Sequence, residues 1–211
     1  MLFIFDWDGT LCDSTGKITH ALHESMADLG FPKLPDQTVK SIIGLGLPEA
    51  LRVLIPDIDA KGVDAMRERY VHHYEEVDRT PPPLFEGALE TLEQLLGDNH
   101  DIAIATGKTR RGLDKMLKDL ELSDLFQGSR CADETRSKPH PQMLNELLRE
   151  FGVTANHALM IGDTSFDLEM AHNAGVRSVA ALYGAHPVER LKPFSPVANL
   201  ERISDLLKHE F

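Results

Sequence analysis

The chain has 211 residues, enough to bury a sizeable core as one domain or as one domain with a smaller insertion. Its 34 acidic against 22 basic residues leave a formal charge of -12, the wrong sign for gripping a phosphate backbone, so nucleic acid is excluded as an expected partner. No apolar run reaches the roughly 18 residues a membrane span needs, and the N-terminus lacks the basic region and apolar stretch of a signal peptide. With two cysteines, Cys12 and Cys131, and no CxxC pair, the expectation is a cytoplasmic chain with free thiols and no membrane association.

Met1 to Phe5 is a short run of aromatic and branched side chains, the pattern of a strand buried on both faces. It runs into Asp6 and Asp8, two residues apart, and then Gly9, which is free to turn. Two acids at the carboxyl end of a buried strand are costly unless a metal, a proton or hydrogen bonds offset their charge, and that cost marks the stretch as functional. The bland alternative is an Asp-Gly turn with two solvated carboxylates. Residues 15–80 then read as a small helical unit inserted after the first strand. Ser14 or Thr15 is available as N-cap, Ile18, Leu22, Met26 and Leu29 line one helix face, and shorter amphipathic pieces follow through Val77. The stiff segment Pro81-Pro82-Pro83 bounds this unit, leaving residues 1–14 and 81–211 as the main domain.

From Phe85 onward the pattern alternates. Helices are expected at 87–96, 111–120, 141–151, 166–174 and 200–209, and strands at 101–106, 129–132, 158–161 and 178–181. Such alternation implies an α/β fold, a Rossmann-like parallel sheet covered on both faces, whose ligands collect beyond the carboxyl ends of its strands. Those ends carry Asp6 and Asp8, then Thr106-Gly107-Lys108, then Gly162-Asp163 with Asp167. Ser137-Lys138-Pro139 falls between, where prolines hold a lysine near a helix start. Three or four acids suit a hard divalent cation such as Mg²⁺; a hydroxyl, backbone N–H groups beside a glycine and an ammonium suit a phosphate.

On these residues the sequence resembles the haloacid dehalogenase-like hydrolases. DWDGT at 6–10 fits the family's DxDGT signature, Thr106 its hydroxyl position, Lys138 its lysine motif and GDTSFD at 162–167 its GDxxxD motif, in the family's order. The inserted helices fit a type-1 cap. The resemblance implies that Asp6 is the nucleophile of an aspartyl-phosphate mechanism and Asp8 the general acid and base. Asp6, the main-chain carbonyl of Asp8, Asp163 and, through water, Asp167 would bind Mg²⁺, and Thr106, Gly107 and Lys138 would hold the phosphoryl oxygens. The acid at position 8 argues for phosphate esters over C–Cl or C–P cleavage, and the chain looks most like the phosphoglycolate phosphatase group. A small phosphorylated metabolite is thus the expected partner, with the oligomeric state left open.

Two other readings stand beside this one: a phosphosugar mutase on the same scaffold, and a phospho-acceptor regulatory protein without turnover. Within the helical unit, the loop Gly44-Leu45-Gly46 is the expected closing segment. Arg52 and Arg69 are candidates for a distal carboxylate, and Met66, Tyr70 and Tyr74 are read as packing. His20, His23, His72 and His73 are read as solvated or packed. Lys108 is either an anion-attracting group or a solvated lysine. Ile102 stands where a nucleotide-binding loop before Gly107 needs glycine, so that reading fails.

Overall fold

The computed structural model describes residues 1–211. The apolar run near the N-terminus forms β1 (Leu2–Phe5), all four residues buried. The later strands are β2 (Asp101–Thr106), β3 (Gly128–Cys131), β4 (Ala158–Gly162), β5 (Arg177–Ala181) and β6 (Ala198–Leu200). All pair in parallel, in the order β3-β2-β1-β4-β5-β6. The order reverses beside β1, which lies between β2 and β4, and a reversal of this kind opens a crevice at the carboxyl ends of the strands.

The two-residue period of the strands sorts side chains to opposite faces. Phe3, Phe5, Ile102 and Ile104 pack on one face with Leu92 of α5 (Ala88–Gly97) and Leu113 and Met116 of α6 (Arg110–Asp119). Leu2, Ile4, Ala103 and Met160 pack on the other with Met143 and Leu147 of α7 (Gln142–Phe151) and Met170 of α8 (Ser165–Ala174). Phe5 is completely buried, and truncating such a residue to alanine typically costs about 3–5 kcal/mol.

Between β1 and β2 the chain builds α1 (Thr15–Asp28), α2 (Asp36–Lys40), α3 (Leu47–Leu54) and α4 (Ala60–Val71), the last continuing into a π-helical turn, His72–Val77. These helices have their own apolar cluster, including Leu22, Met26, Val39, Leu51 and Met66; from the sheet side only Ala185 joins it. Lys17 ties the two connections to the sheet together. Its ammonium donates to the carbonyls of Asp78 at 2.8 Å and Thr80 at 2.7 Å, where the chain returns.

Two expectations need correction. The α-helix expected at 200–209 is instead a six-residue 3₁₀ helix, Ile203–Lys208, and Leu200 ends a short strand, β6, that pairs with β5. Three strand residues are too few to show a period, and pairing to β5 decides their conformation. A short helix, α9 (Val188–Leu191), also forms after β5, where none was expected. At α1, Ser14 occupies the N-cap position with near-helical backbone and makes no capping bond; its hydroxyl donates to Asp8 instead.

Candidate active site

β1 ends at Phe5, while the N–H of Asp6 still bonds to the carbonyl of Ile161 at 2.9 Å, so the carboxylate of Asp6 is delivered just past the sheet. It is 1% exposed. The ammonium of Lys138, equally buried, lies 2.7 Å from Asp6 Oδ1 and 2.6 Å from Asp167 Oδ1. Asp167 also closes the capping box of α8, with its Oδ2 accepting from the N–H and hydroxyl of Thr164 at 3.1 and 2.7 Å. Asp163 accepts from the Thr10 hydroxyl at 2.8 Å and the N–H of Ala185 at 2.6 Å. Gly9 has φ +86°, and a Cβ there would run into the Asp163 carboxylate, so both the turn and the close approach require glycine.

Three buried carboxylates therefore share one ammonium. Burial pushes the Asp6 pKa well above its usual range; the Lys138 charge opposes that, and Asp167 and Asp163 add to it. Burial and then the Asp167 charge lift Asp163 to about 7, against the Ala185 N–H and the Thr10 hydroxyl. For Lys138, burial disfavours the ammonium, but Asp167 and Asp6 outweigh it and hold the proton more tightly than usual. Asp6, Asp163 and Asp167 each offer a ligand atom within 4.8 Å of the others. Asp6 Oδ2 is buried with no hydrogen-bond partner, and Oδ1 has only the Lys138 ammonium beside it. An oxygen-only donor set with an orphaned carboxylate oxygen fits a hard divalent cation.

The side chain of Asp8 is held apart from this cluster. Ser14 Oγ donates to Asp8 Oδ1 at 2.6 Å, and Lys108 Nζ lies 3.0 Å from the same oxygen. Lys108 also donates to the Tyr74 hydroxyl at 3.4 Å, and its ammonium sits 5.0 Å from the centre of that ring. Burial opposes the charge on Lys108 most strongly, but Asp8 with Tyr74 and Tyr70 together outweigh it, so the ammonium is retained. A cavity of about 310 Å³ separates the helical unit from the sheet; Asp6, Asp8, Gly107 and Lys108 form part of its floor, and Lys17 and Tyr74 part of its roof. Its closing edge is the loop named above: the Gly46 N–H donates to Ser137 Oγ at 2.8 Å. A Cβ on Gly107 would lie 2.6 Å from the Leu45 carbonyl oxygen and 2.7 Å from that of Gly44, so only glycine lets the loop sit this close.

Asp6, Lys138, Asp163 and Asp167 thus converge, and Asp8 and Gly107 face the same cavity. The hydroxyl of Thr106, fully buried, accepts from the N–H of Lys108 at 3.2 Å. Arg52 and Arg69 do not line the cavity, and Arg69 lies instead 4.0 Å from Asp28. His72 and His73 bond to Glu76 and Asp28, each at 2.8 Å. Tyr74, read from the sequence as packing alone, packs and also meets Lys108. The packing reading holds, since Tyr74 stacks on Tyr70 within the helical cluster, and the added contact to Lys108, 34 residues away, leaves no trace in a periodic pattern. The roles of Ser14 and Thr10 as donors to Asp8 and Asp163 carried no sequence signal beyond their place in or beside the first motif.

Residues 3–181 match the family described as haloacid dehalogenase-like hydrolase. The chain belongs to this family. A phosphoglycolate phosphatase of Aliivibrio fischeri is 31% identical over 216 residues, spanning 99% of this chain and 93% of that protein. One from Pseudomonas syringae pv. tomato is 31% identical over 96% of this chain and 78% of its own length. Among solved structures, a hydrolase from Pseudomonas syringae superposes with a TM-score of 0.90 at 27% identity, covering 99% of this chain and 96% of that one. As a haloacid dehalogenase-like hydrolase with full-length relatives of this kind, the chain is an enzyme of the phosphatase type. None of its helices is long and apolar enough to cross a membrane.

Proposed function

We propose that the chain is a Mg²⁺-dependent phosphatase of small phosphate monoesters, with residues 15–80 acting as its cap. The observation that carries this reading is the convergence of three buried carboxylates and Lys138 beneath a cavity that Asp8 enters from a separate anchorage. Asp6, Asp163, Asp167 and the main-chain carbonyl of Asp8 would hold Mg²⁺, which supplies charge neutralisation between an anionic nucleophile and an anionic phosphate. A carboxylate oxygen of Asp6 attacks phosphorus in line, the ester P–O bond breaks, and Asp8 gives its proton to the departing oxygen. Water then attacks phosphorus with Asp8 taking its proton, which returns Asp6 as a carboxylate and releases inorganic phosphate. Lys138, the Gly107 N–H and the Thr106 hydroxyl stabilise the phosphoryl oxygens, each such donor being worth about 10²-fold or more.

The cavity volume suits a substrate of few atoms. Lys108, beside Asp8, lines it and favours a second anionic group on the alcohol side. Phosphoglycolate, named in the relatives' activity, has that form. The test is phosphate release from phosphoglycolate and a panel of phosphorylated small molecules, with and without EDTA, using Asp6→Asn as control. Turnover that survives EDTA, or an undiminished variant, would refute the proposal.

A further inference from the structure

Outside the acid cluster, the one buried histidine has no part in the chemistry above. His186 is 2% exposed and lies between the start of α8 and the 41–46 segment of the cap. Its Nδ1 accepts the N–H of Ser165 at 3.0 Å, which leaves the ring proton on Nε2, and Nε2 donates to the carbonyl of Ser41 at 3.1 Å. Burial, followed by the nearby Arg190 charge, lowers the ring pKa to about 4, so the neutral form this two-sided bonding requires is the working one. Arg190, on α9, donates to the same Ser41 carbonyl at 3.3 Å and to Ser165 Oγ at 3.2 Å. Its guanidinium lies 5.7 Å from the centre of the Phe166 ring.

Ser41 caps the carboxyl end of α2, and carbonyls there have no partner within their own helix. Here the core supplies two donors to one such carbonyl. The segment that starts at Ser41 ends at Gly46, which is tied to the core by Ser137 Oγ. Between these two ties, the carbonyls of Gly44 and Leu45 rest on Gly107, and a Cβ on Gly44 would meet Thr164 and Phe166. The loop is therefore pinned at both ends across the phosphate-facing turns.

We propose that His186 and Arg190 are positioning residues for the phosphatase reaction, the core half of a latch that holds the Ser41 carbonyl and seats the 41–46 loop over bound substrate. The inference rests on the phosphatase reading given above. It assigns the two residues to substrate retention and selection, apart from the acid cluster. The alternative is a purely local role for His186 in holding the first turn of α8, next to Asp163 and Asp167; that would disturb metal binding and leave the loop alone.

Two substitutions separate these roles. His186→Asn keeps an acceptor near the Nδ1 position for Ser165 but falls short of Ser41. His186→Gln carries an amide N–H toward Ser41 but has no acceptor at the Nδ1 position. The latch predicts that His186→Asn and Arg190→Ala each raise KM roughly 3- to 10-fold, the value of one lost hydrogen bond, with kcat and the Mg²⁺ activation constant within about 2-fold. His186→Gln would keep a KM near that of the wild type. In the absence of substrate, amide hydrogen exchange at residues 42–46 would quicken by about 10-fold or more in the His186→Asn, Arg190→Ala double variant. Unchanged loop exchange together with an unchanged KM in His186→Asn would overturn the latch. So would a raised Mg²⁺ requirement in His186→Gln with normal behaviour in His186→Asn. If the wild type releases no phosphate from any ester, the phosphatase reading fails and the catalytic role of the latch with it. The exchange measurement separately decides whether the latch exists.

Discussion

Replacing Lys138 with methionine removes the single cation from among three buried carboxylates while nearly preserving side-chain length. Its ammonium lies 2.7 Å from Asp6 and 2.6 Å from Asp167, and none of the three side chains is more than 1% exposed. Breaking a buried pair of this kind costs about 3–5 kcal/mol when the remaining charge stays uncompensated. Asp6 and Asp163 already have raised pKa values, so one of them can take up a proton, which moves the cost toward about 3 kcal/mol. For a chain of this size that corresponds to a melting temperature lower by roughly 6–12 °C in EDTA. Thermal unfolding followed by circular dichroism, with Mg²⁺ titrated in, separates the contributions. Mg²⁺ restores most of the stability, since the cation replaces the missing positive charge, but turnover stays down by about 10²-fold or more because a donor to the phosphoryl oxygens is gone. A variant that melts within about 2 °C of the wild type in EDTA, or that Mg²⁺ returns to full turnover, would refute the reasoning.

Three further outcomes follow from the geometry. Lys108→Met removes the ammonium 3.0 Å from Asp8. It should raise KM about 10-fold or more for an ester with a second anionic group, and much less for p-nitrophenyl phosphate; equal effects on both would contradict the assigned role. Gly107→Ala keeps the backbone N–H but places a methyl against the Leu45 and Gly44 carbonyls, so the 41–46 loop cannot seat, and kcat/KM should fall about 10²-fold. Stability should change little, and a crystal structure with the 41–46 loop undisplaced would refute this. For His186, the folded pKa of about 4 lies below the usual 6.5, so the unfolded chain binds more protons between those values. Arg190 deepens that depression and Asp167 partly opposes it. The contribution is present above pH 6.5 and lost as pH falls toward 4, at most about 3 kcal/mol. The fall in melting temperature between pH 7 and pH 4.5 should therefore be smaller in His186→Gln than in the wild type. Equal slopes would show that His186 titrates normally.

The central strand was legible because Leu2 to Phe5 presents apolar side chains on both faces, which leaves few readings other than a buried strand. The acid cluster was legible for a related reason: polar groups at several strand tips, in a sheet whose ligands gather there, have few structural purposes. What escaped detection depends on contacts far apart in sequence. Lys108 looks like a solvated helix-start lysine until Asp8 and Tyr74 are seen on either side of it. Tyr74 packs on Tyr70 as its spacing suggests, but its hydroxyl meets Lys108 across 34 residues, a contact no periodic pattern carries. β6 exists because β5 offers an edge, and its three residues carry no pattern of their own. His186 and Arg190 belong to no motif, and their meaning comes only from the Ser41 carbonyl at the end of α2, about 150 residues earlier in the chain.

The most direct test of the central claim is to mix the enzyme with a radiolabelled phosphate monoester and Mg²⁺, quench in acid within milliseconds, and map the protein-bound label. The account predicts an acid-stable, hydroxylamine-labile label on the peptide containing Asp6, absent in Asp6→Asn and formed no more slowly than phosphate is released. Phosphate release at full rate with no label on that peptide, or with the label elsewhere, would contradict it.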